Sequence, residues 1–159
     1  MNDIVSGSVS INPANGEVIA RYPFDDDASL NRALDTARAA GRAWAATPVA
    51  ERLAAFTRIA AILRRDIQVL GEMASREMGK PITQAKAEVE KCAVLCDWYA
   101  QNGGAILSDR PTSIGPDAYV SYHPLGTILA VMPWNFPYWQ AMRGAISILL
   151  GGNTYLLKH

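Results

Sequence analysis

The chain has 159 residues, room for one domain of ordinary size, and half of them are apolar, which excludes disorder throughout. Fifteen Lys plus Arg balance fifteen Asp plus Glu, so charge-driven binding to nucleic acid or to an anionic membrane is not expected. No run approaches about 18 uncharged apolar residues, and the start MNDIVSGSVS has neither the basic nor the apolar region of a signal peptide. Two cysteines cannot frame a disulfide scaffold, so a reducing, cytoplasmic setting is expected. With only His123 and His159, a multi-histidine metal site is not expected.

Residues 1–24 read as a short strand pair. SVSINP and EVIARYP alternate roughly in polarity on either side of Asn15-Gly16, a hairpin signal. From about Asp25 to Gly104 the period is helical. Asp25 to Ser29 suit a helix N-terminus, and Leu30, Ala33, Leu34, Ala37, Gly41 and Trp44 share one face. Thr47-Pro48 ends that helix and opens the next, in which Leu53, Phe56, Ala60, Leu63, Ile67 and Leu70 step by three and four. A break is expected near Arg65-Asp66, and Gly79-Lys80-Pro81 reads as a stop. Thr83 reads as the next cap. Ile82, Ala85, Val89, Cys92, Cys96 and Tyr99 continue the stepping until Asn102-Gly103-Gly104, which reads as its end.

From about Asp117 the period changes. Ala118 to Tyr122 reads as a strand with one polar face, and Pro124-Leu125-Gly126 as a turn. Thr127 to Met132 is a continuous apolar, β-branched run, which suits a strand buried on both faces of a parallel sheet. Phe136 to Leu150 reads as an apolar helix with Pro137 near its start and Gly151-Gly152 after its end. Thr154 to Leu157 is a second buried strand. The three make a βαβ unit, whose crossover should be right-handed. There are no internal repeats and no low-complexity tracts. The fold class is therefore α/β. The chain stops at the carboxyl edge of a strand, where open α/β sheets bind ligands, and is expected to be the first third of a larger protein.

Met132-Pro133-Trp134-Asn135-Phe136-Pro137 links the first buried strand to the apolar helix, its backbone restricted by two prolines. An Asn amide there offers uncharged N–H donors, suited to an oxyanion as it develops. From spacing alone the commoner task, capping the following helix, is the favoured reading of Asn135. Lys158 at a strand's carboxyl edge could reach ribose or phosphate oxygens, or be a solvated strand end. Arg143 is the only charge in its helix, beside Met142, Ala145, Ile146 and Leu149. It either leans out to water, pairs with a carboxylate elsewhere, or meets one on a substrate. Cys92 and Cys96, four apart on an apolar face, read as small buried thiols.

PLGTILAVMPWNFPYWQAMRGA, EMGKPITQAKAEVEKCAVLCDWYA and the strand ending in LLKH together resemble the aldehyde dehydrogenase superfamily, and within it the succinate-semialdehyde dehydrogenase branch. The resemblance runs from about Ile11 to His159. It implies that Asn135 forms the oxyanion hole with a backbone N–H of the catalytic Cys. It implies that Met132, Pro133 and Trp134 lie along the nicotinamide end of NAD or NADP, and that Lys158 bonds the adenine-side ribose. It places Arg143 where that branch holds the substrate carboxylate. It implies aldehyde oxidation through a thiohemiacetal, hydride transfer to NAD or NADP, then hydrolysis of a thioester. The nucleophilic Cys and the Glu that activates water are expected beyond His159, as is the glycine-containing turn that supports the pyrophosphate. The implied organisation is residues 1–116 as strand pair and helical part of a Rossmann-like cofactor domain, 117–124 as the start of an oligomerisation β arm, and 125–159 as the first βαβ of the cofactor sheet. The implied partners are a small aldehyde, succinate semialdehyde first, and further copies of the chain in a homo-oligomer. The rival expectation is a stand-alone product of a split gene that binds or assembles without catalysis.

Overall fold

The computed structural model describes residues 7–158. The expected strand pair is β1 (Gly7–Ile11) and β2 (Val18–Pro23), antiparallel, with a register shift between Ser10 and Ile11. The part of that expectation on residues 1–6 lies outside the described residues. Helix α1 (Asp27–Ala46) starts where the acidic cluster indicates: the Asp26 side chain accepts from the Ser29 amide at 2.7 Å, and that bond holds its carboxyl below the usual range. No residue of α1 is buried. The helix rests on the rest of the chain through Ala37 and Trp44, whose carbonyl and indole N–H meet the Thr154 hydroxyl at 3.2 Å and the Leu149 carbonyl at 2.8 Å.

Helices α2 (Val49–Arg65) and α3 (Ile67–Met78) divide at Asp66, and α3 ends on Gly79 with φ +72°, a left-handed conformation that glycine adopts at little cost. Helix α4 (Ile82–Leu107) departs from the sequence expectation at both ends. Thr83 is not its cap. Pro81 is, and its fixed φ of −53° lets the helix start at the next residue. Asn102-Gly103-Gly104 does not stop it either. Gly103 is buried where α4 crosses its neighbours, and a Cβ there would sit 2.8 Å from Leu53 Cδ2 and 2.9 Å from Leu150 Cδ1. The glycine serves close packing rather than termination.

The strand expected over Ala118–Tyr122 is only β4 (Tyr119–Val120), paired antiparallel with an unexpected β3 (Arg110–Pro111). Pro111 lacks an N–H to donate to the ladder, and one bond follows it, from the Thr112 amide to the Ala118 carbonyl at 3.0 Å. The βαβ unit is present as β5 (Thr127–Val131), α5 (Pro137–Leu150) and β6 (Thr154–Lys158). The strands are parallel, in a register running from Thr127 beside Thr154 to Val131 beside Lys158.

Burial of this sheet on both faces does not hold within the described residues. Side chains alternate between faces. Helix α5 covers the face carrying Ile128, Ala130 and Tyr155, whose hydroxyl donates to the Ala141 carbonyl at 3.2 Å. The other face is covered by α1 only at the Thr127–Thr154 end, and Leu129 and Val131 stay 67% and 68% exposed. The core lies instead among α2, α4 and α5. Phe56, Ala60, Ala93, Cys96, Ile146 and Leu150 are its fully buried members. Burying a side chain such as Phe56 or Ile146 stabilises by about 1.5–3 kcal/mol. That core fixes α5, and hence the turn before it, against α4.

Candidate active site

The parallel pair continues one rung past β5. The Met132 amide donates to the Lys158 carbonyl at 3.0 Å. Pro133 cannot donate and ends the ladder. Trp134 and Asn135 form a turn, Phe136 is the N-cap of α5, and Pro137 is its first residue. The residues expected along a cofactor, Met132, Pro133, Trp134 and Lys158, are thus brought together at one carboxyl edge of the sheet. Pro133, Trp134, Asn135 and Lys158 are exposed there.

The two readings of Asn135 separate on geometry. The cap of α5 is Phe136, and no side chain of the cap residue bonds the helix start. The Asn135 carboxamide has no partner among the described residues. The amides at the start of α5 are satisfied from another helix. Glu88 Oε1 of α4 accepts from the amides of both Tyr138 and Trp139, each at 2.9 Å. A carboxylate at a helix N-terminus meets unpaired N–H groups and the positive end of the helix dipole. The other Glu88 oxygen pairs with Lys80 Nζ. The two side chains are 2% and 6% exposed. Lys80 Nζ also lies 3.5 Å from the Asn135 carbonyl and 3.7 Å from the centre of the Phe136 ring.

The sequence gives little warning of this arrangement, because Gly79-Lys80-Pro81 reads as punctuation. One signal was present. Glu88 interrupts the apolar face formed by Ala85, Val89 and Cys92, and a charge there calls for a partner. The backbone around Gly79 and Pro81 supplies it, turning Lys80 inward between α3 and α4.

Arg143 lies on the exposed side of α5 and donates to Gln140 Oε1 at 3.1 Å, one turn earlier. Its apolar neighbour Ile146 faces the core instead. Cys92 and Cys96 are fully buried in α4. Burial, with Glu88 nearby, pushes the Cys92 thiol up to about 12, and burial with Asp97 nearby pushes Cys96 up to about 11. Thiols held protonated in this way are poor nucleophiles.

A parallel βαβ unit with an exposed turn at its carboxyl edge places the chain with the α/β proteins, whose sheets bind ligands at that edge. The aldehyde dehydrogenase family profile matches residues 5–159, and the chain belongs to that family. It is 49% identical over 153 residues to the succinate semialdehyde dehydrogenase [NAD(P)+] of Escherichia coli K12, covering 96% of this chain and 33% of that protein. It is 39% identical over 151 residues to a probable succinate-semialdehyde dehydrogenase [NADP(+)] of Synechocystis, covering 94% of this chain and 33% of that one. The crystal structure of the Streptococcus pyogenes succinic semialdehyde dehydrogenase in complex with NADP+ superposes with a TM-score of 0.88 at 35% identity, over 95% of this chain and 34% of that one. The chain therefore spans about a third of the length of these relatives. Among the described residues, no helix is long and apolar enough to cross a membrane.

Proposed function

We propose that this chain is the amino-terminal third of an NAD(P)-dependent succinate-semialdehyde dehydrogenase that works in the cytoplasm as a homo-oligomer. Residues 1–116 and 125–159 contribute to its cofactor domain, and residues 117–124 begin the β arm between subunits. The observation that carries the reading is the carboxyl edge itself. It sets the 132–134 segment beside Lys158 and leaves the Asn135 carboxamide without a partner among the described residues.

The groups at this edge fit a dinucleotide. Lys158 is suited to ribose oxygens, and the segment from Met132 to Trp134, exposed at Pro133 and Trp134, to the nicotinamide end. When bound, NAD or NADP supplies the hydride acceptor. Asn135 donates from its side-chain amide to the aldehyde oxygen as that oxygen gains negative charge under attack by a thiolate. The hydrogen bond strengthens as charge builds on that oxygen, and so favours the transition state over the ground state. The thiolate and the water-activating carboxylate come from the remaining two thirds of the enzyme, since Cys92 and Cys96 are buried and protonated. Arg143 holds the carboxylate at the far end of the substrate.

Turnover of the complete enzyme with succinate semialdehyde and either NAD+ or NADP+ tests the proposal. Reduced cofactor and succinate in equal amounts are expected. A complete enzyme that reduces neither cofactor with this aldehyde overturns it.

A further inference from the structure

We propose that Lys80 and Glu88 act as positioning residues for the oxyanion donor, holding the turn that carries Asn135 so that its carboxamide is left for the substrate. The inference rests on the reading of Asn135 given above.

An oxyanion donor works only if it is held within about 0.5 Å of its productive place. The 133–136 turn cannot do this alone. It lies outside the sheet ladder and outside α5, and its residues are exposed. What holds it comes from α4 and the segment before it. Glu88 takes the amides of Tyr138 and Trp139, the first that follow the turn and its proline. Lys80 sets its ammonium 3.7 Å from the centre of the Phe136 ring and 3.5 Å from the Asn135 carbonyl. One ion pair thus reaches residues 135, 136, 138 and 139.

The arrangement also explains why Asn135 does not cap α5. An Asn just before a helix ordinarily turns its side-chain oxygen back to the first free amides. Here Glu88 already occupies those amides, so that use of the carboxamide is closed. The Asn135 side chain is released from a structural task and its backbone is held by a second one. A buried ion pair is seldom the most stable filling for a core, since apolar residues of similar volume often serve as well or better. Fixing this turn is a reason for the pair to be there.

The test is a double-mutant cycle in the complete enzyme, with Lys80→Met and Glu88→Asp each made alone and on an Asn135→Ala background. Lys80→Met should lower kcat by about tenfold to a hundredfold, the usual effect of a misplaced catalytic group, with KM for the aldehyde within about twofold of the parent. On the Asn135→Ala background the same change should lower kcat no further. Glu88→Asp keeps both charges while shortening the reach to the two amides. It should show the same pattern, and it carries the test if Lys80→Met does not fold. Losses that multiply on the Asn135→Ala background overturn the proposal, because they place the pair in general packing. An unchanged kcat in both single variants also overturns it while leaving the oxyanion role of Asn135 intact. Full activity of Asn135→Ala alone removes that role, and the proposal with it.

Discussion

The Met132 amide donates to the Lys158 carbonyl at 3.0 Å, and this one bond ties the segment entering the 133–136 turn to the strand end proposed to meet the cofactor ribose. The parallel register of β5 and β6 sets both at one edge, so a shift of either strand would separate them. The turn is then held from the other side by Glu88 and Lys80. Asn135 sits between two supports, each anchored in a different element.

Replacing Asn135 by Ala should therefore act on rate and not on stability. Loss of one oxyanion donor typically costs about a hundredfold or more in turnover, roughly 3 kcal/mol. Loss of a helix cap would instead cost about 1 kcal/mol of stability. Because Phe136 is the cap residue and Glu88 bonds the first amides, the melting temperature should stay within about 1 °C of the parent. Turnover near the parent value with a lowered melting temperature would return Asn135 to the cap role.

The two glycines near the end of α4 should respond in opposite directions. At Gly104 a Cβ would meet Leu53 Cδ1 at 3.7 Å, an ordinary contact. Gly104→Ala should stabilise by about 0.5–1 kcal/mol through helix propensity. At Gly103 the same Cβ would stand 2.8 Å from Leu53 and 2.9 Å from Leu150, in the core shared with α2 and α5. Overpacking there costs about 1–3 kcal/mol, more than propensity returns. Urea unfolding of the two variants should rank Gly103→Ala below Gly104→Ala by at least about 1 kcal/mol. The reverse order would mean that Leu53 and Leu150 shift aside freely.

The contrast between these glycines shows where sequence reasoning runs out. The periods of β5, α5 and β6 are legible, because a continuous β-branched run and a fourteen-residue apolar helix between prolines and glycines each have one ready local solution. The split at Asp66 is legible for the same reason. A glycine that ends a helix and a glycine that lets two helices touch look alike until the second helix is in place. The burial of β5 and β6 is misread because an apolar run tells what a strand wants against it, and Leu129 and Val131 have little against them in this chain. Of the candidate site, the turn carrying Asn135 and the strand edge beside it are legible through the long motif around them. The Lys80–Glu88 pair does not, since its two ends belong to different local patterns.

Both thiols should be silent in the native chain. Cys92 and Cys96 are fully buried and their thiols are pushed up to about 12 and about 11. A thiol reagent at about pH 8 should label neither until the protein is unfolded, and this chain alone should turn over no aldehyde. Fast labelling of either cysteine in the native chain would contradict the burial. The same shifts set a pH trend. In the unfolded chain the thiols ionise near about 8.5, while in the folded chain they keep their protons well above that. Their contribution to stability is whole below about pH 8.5 and is lost as pH rises toward the folded values. The urea midpoint should therefore fall between about pH 8 and about pH 10 more steeply for the parent than for a Cys92→Ala, Cys96→Ala double variant.

Arg143 offers the sharpest test of the substrate. Helix α5 begins at Pro137, so only six residues of helix, about 9 Å along the axis, separate its start from Arg143. That distance suits a short substrate with its carbonyl at the Asn135 turn and its carboxylate one to two turns along. Among the described residues Arg143 is exposed and bonds only Gln140, so Arg143→Leu removes little that the fold depends on. If Arg143 holds the substrate carboxylate as proposed, the same change in the complete enzyme removes the partner of a charge that has left water. Losing one member of such a pair typically costs about 2–5 kcal/mol. The ratio of kcat/KM for succinate semialdehyde to that for an uncharged aldehyde of similar length should accordingly fall at least about tenfold. A purely structural Arg143 would lower both values together, through yield or folding, and leave the ratio where it was. Measuring both aldehydes on one preparation of the variant separates the two outcomes, and an unchanged ratio rules out the carboxylate role.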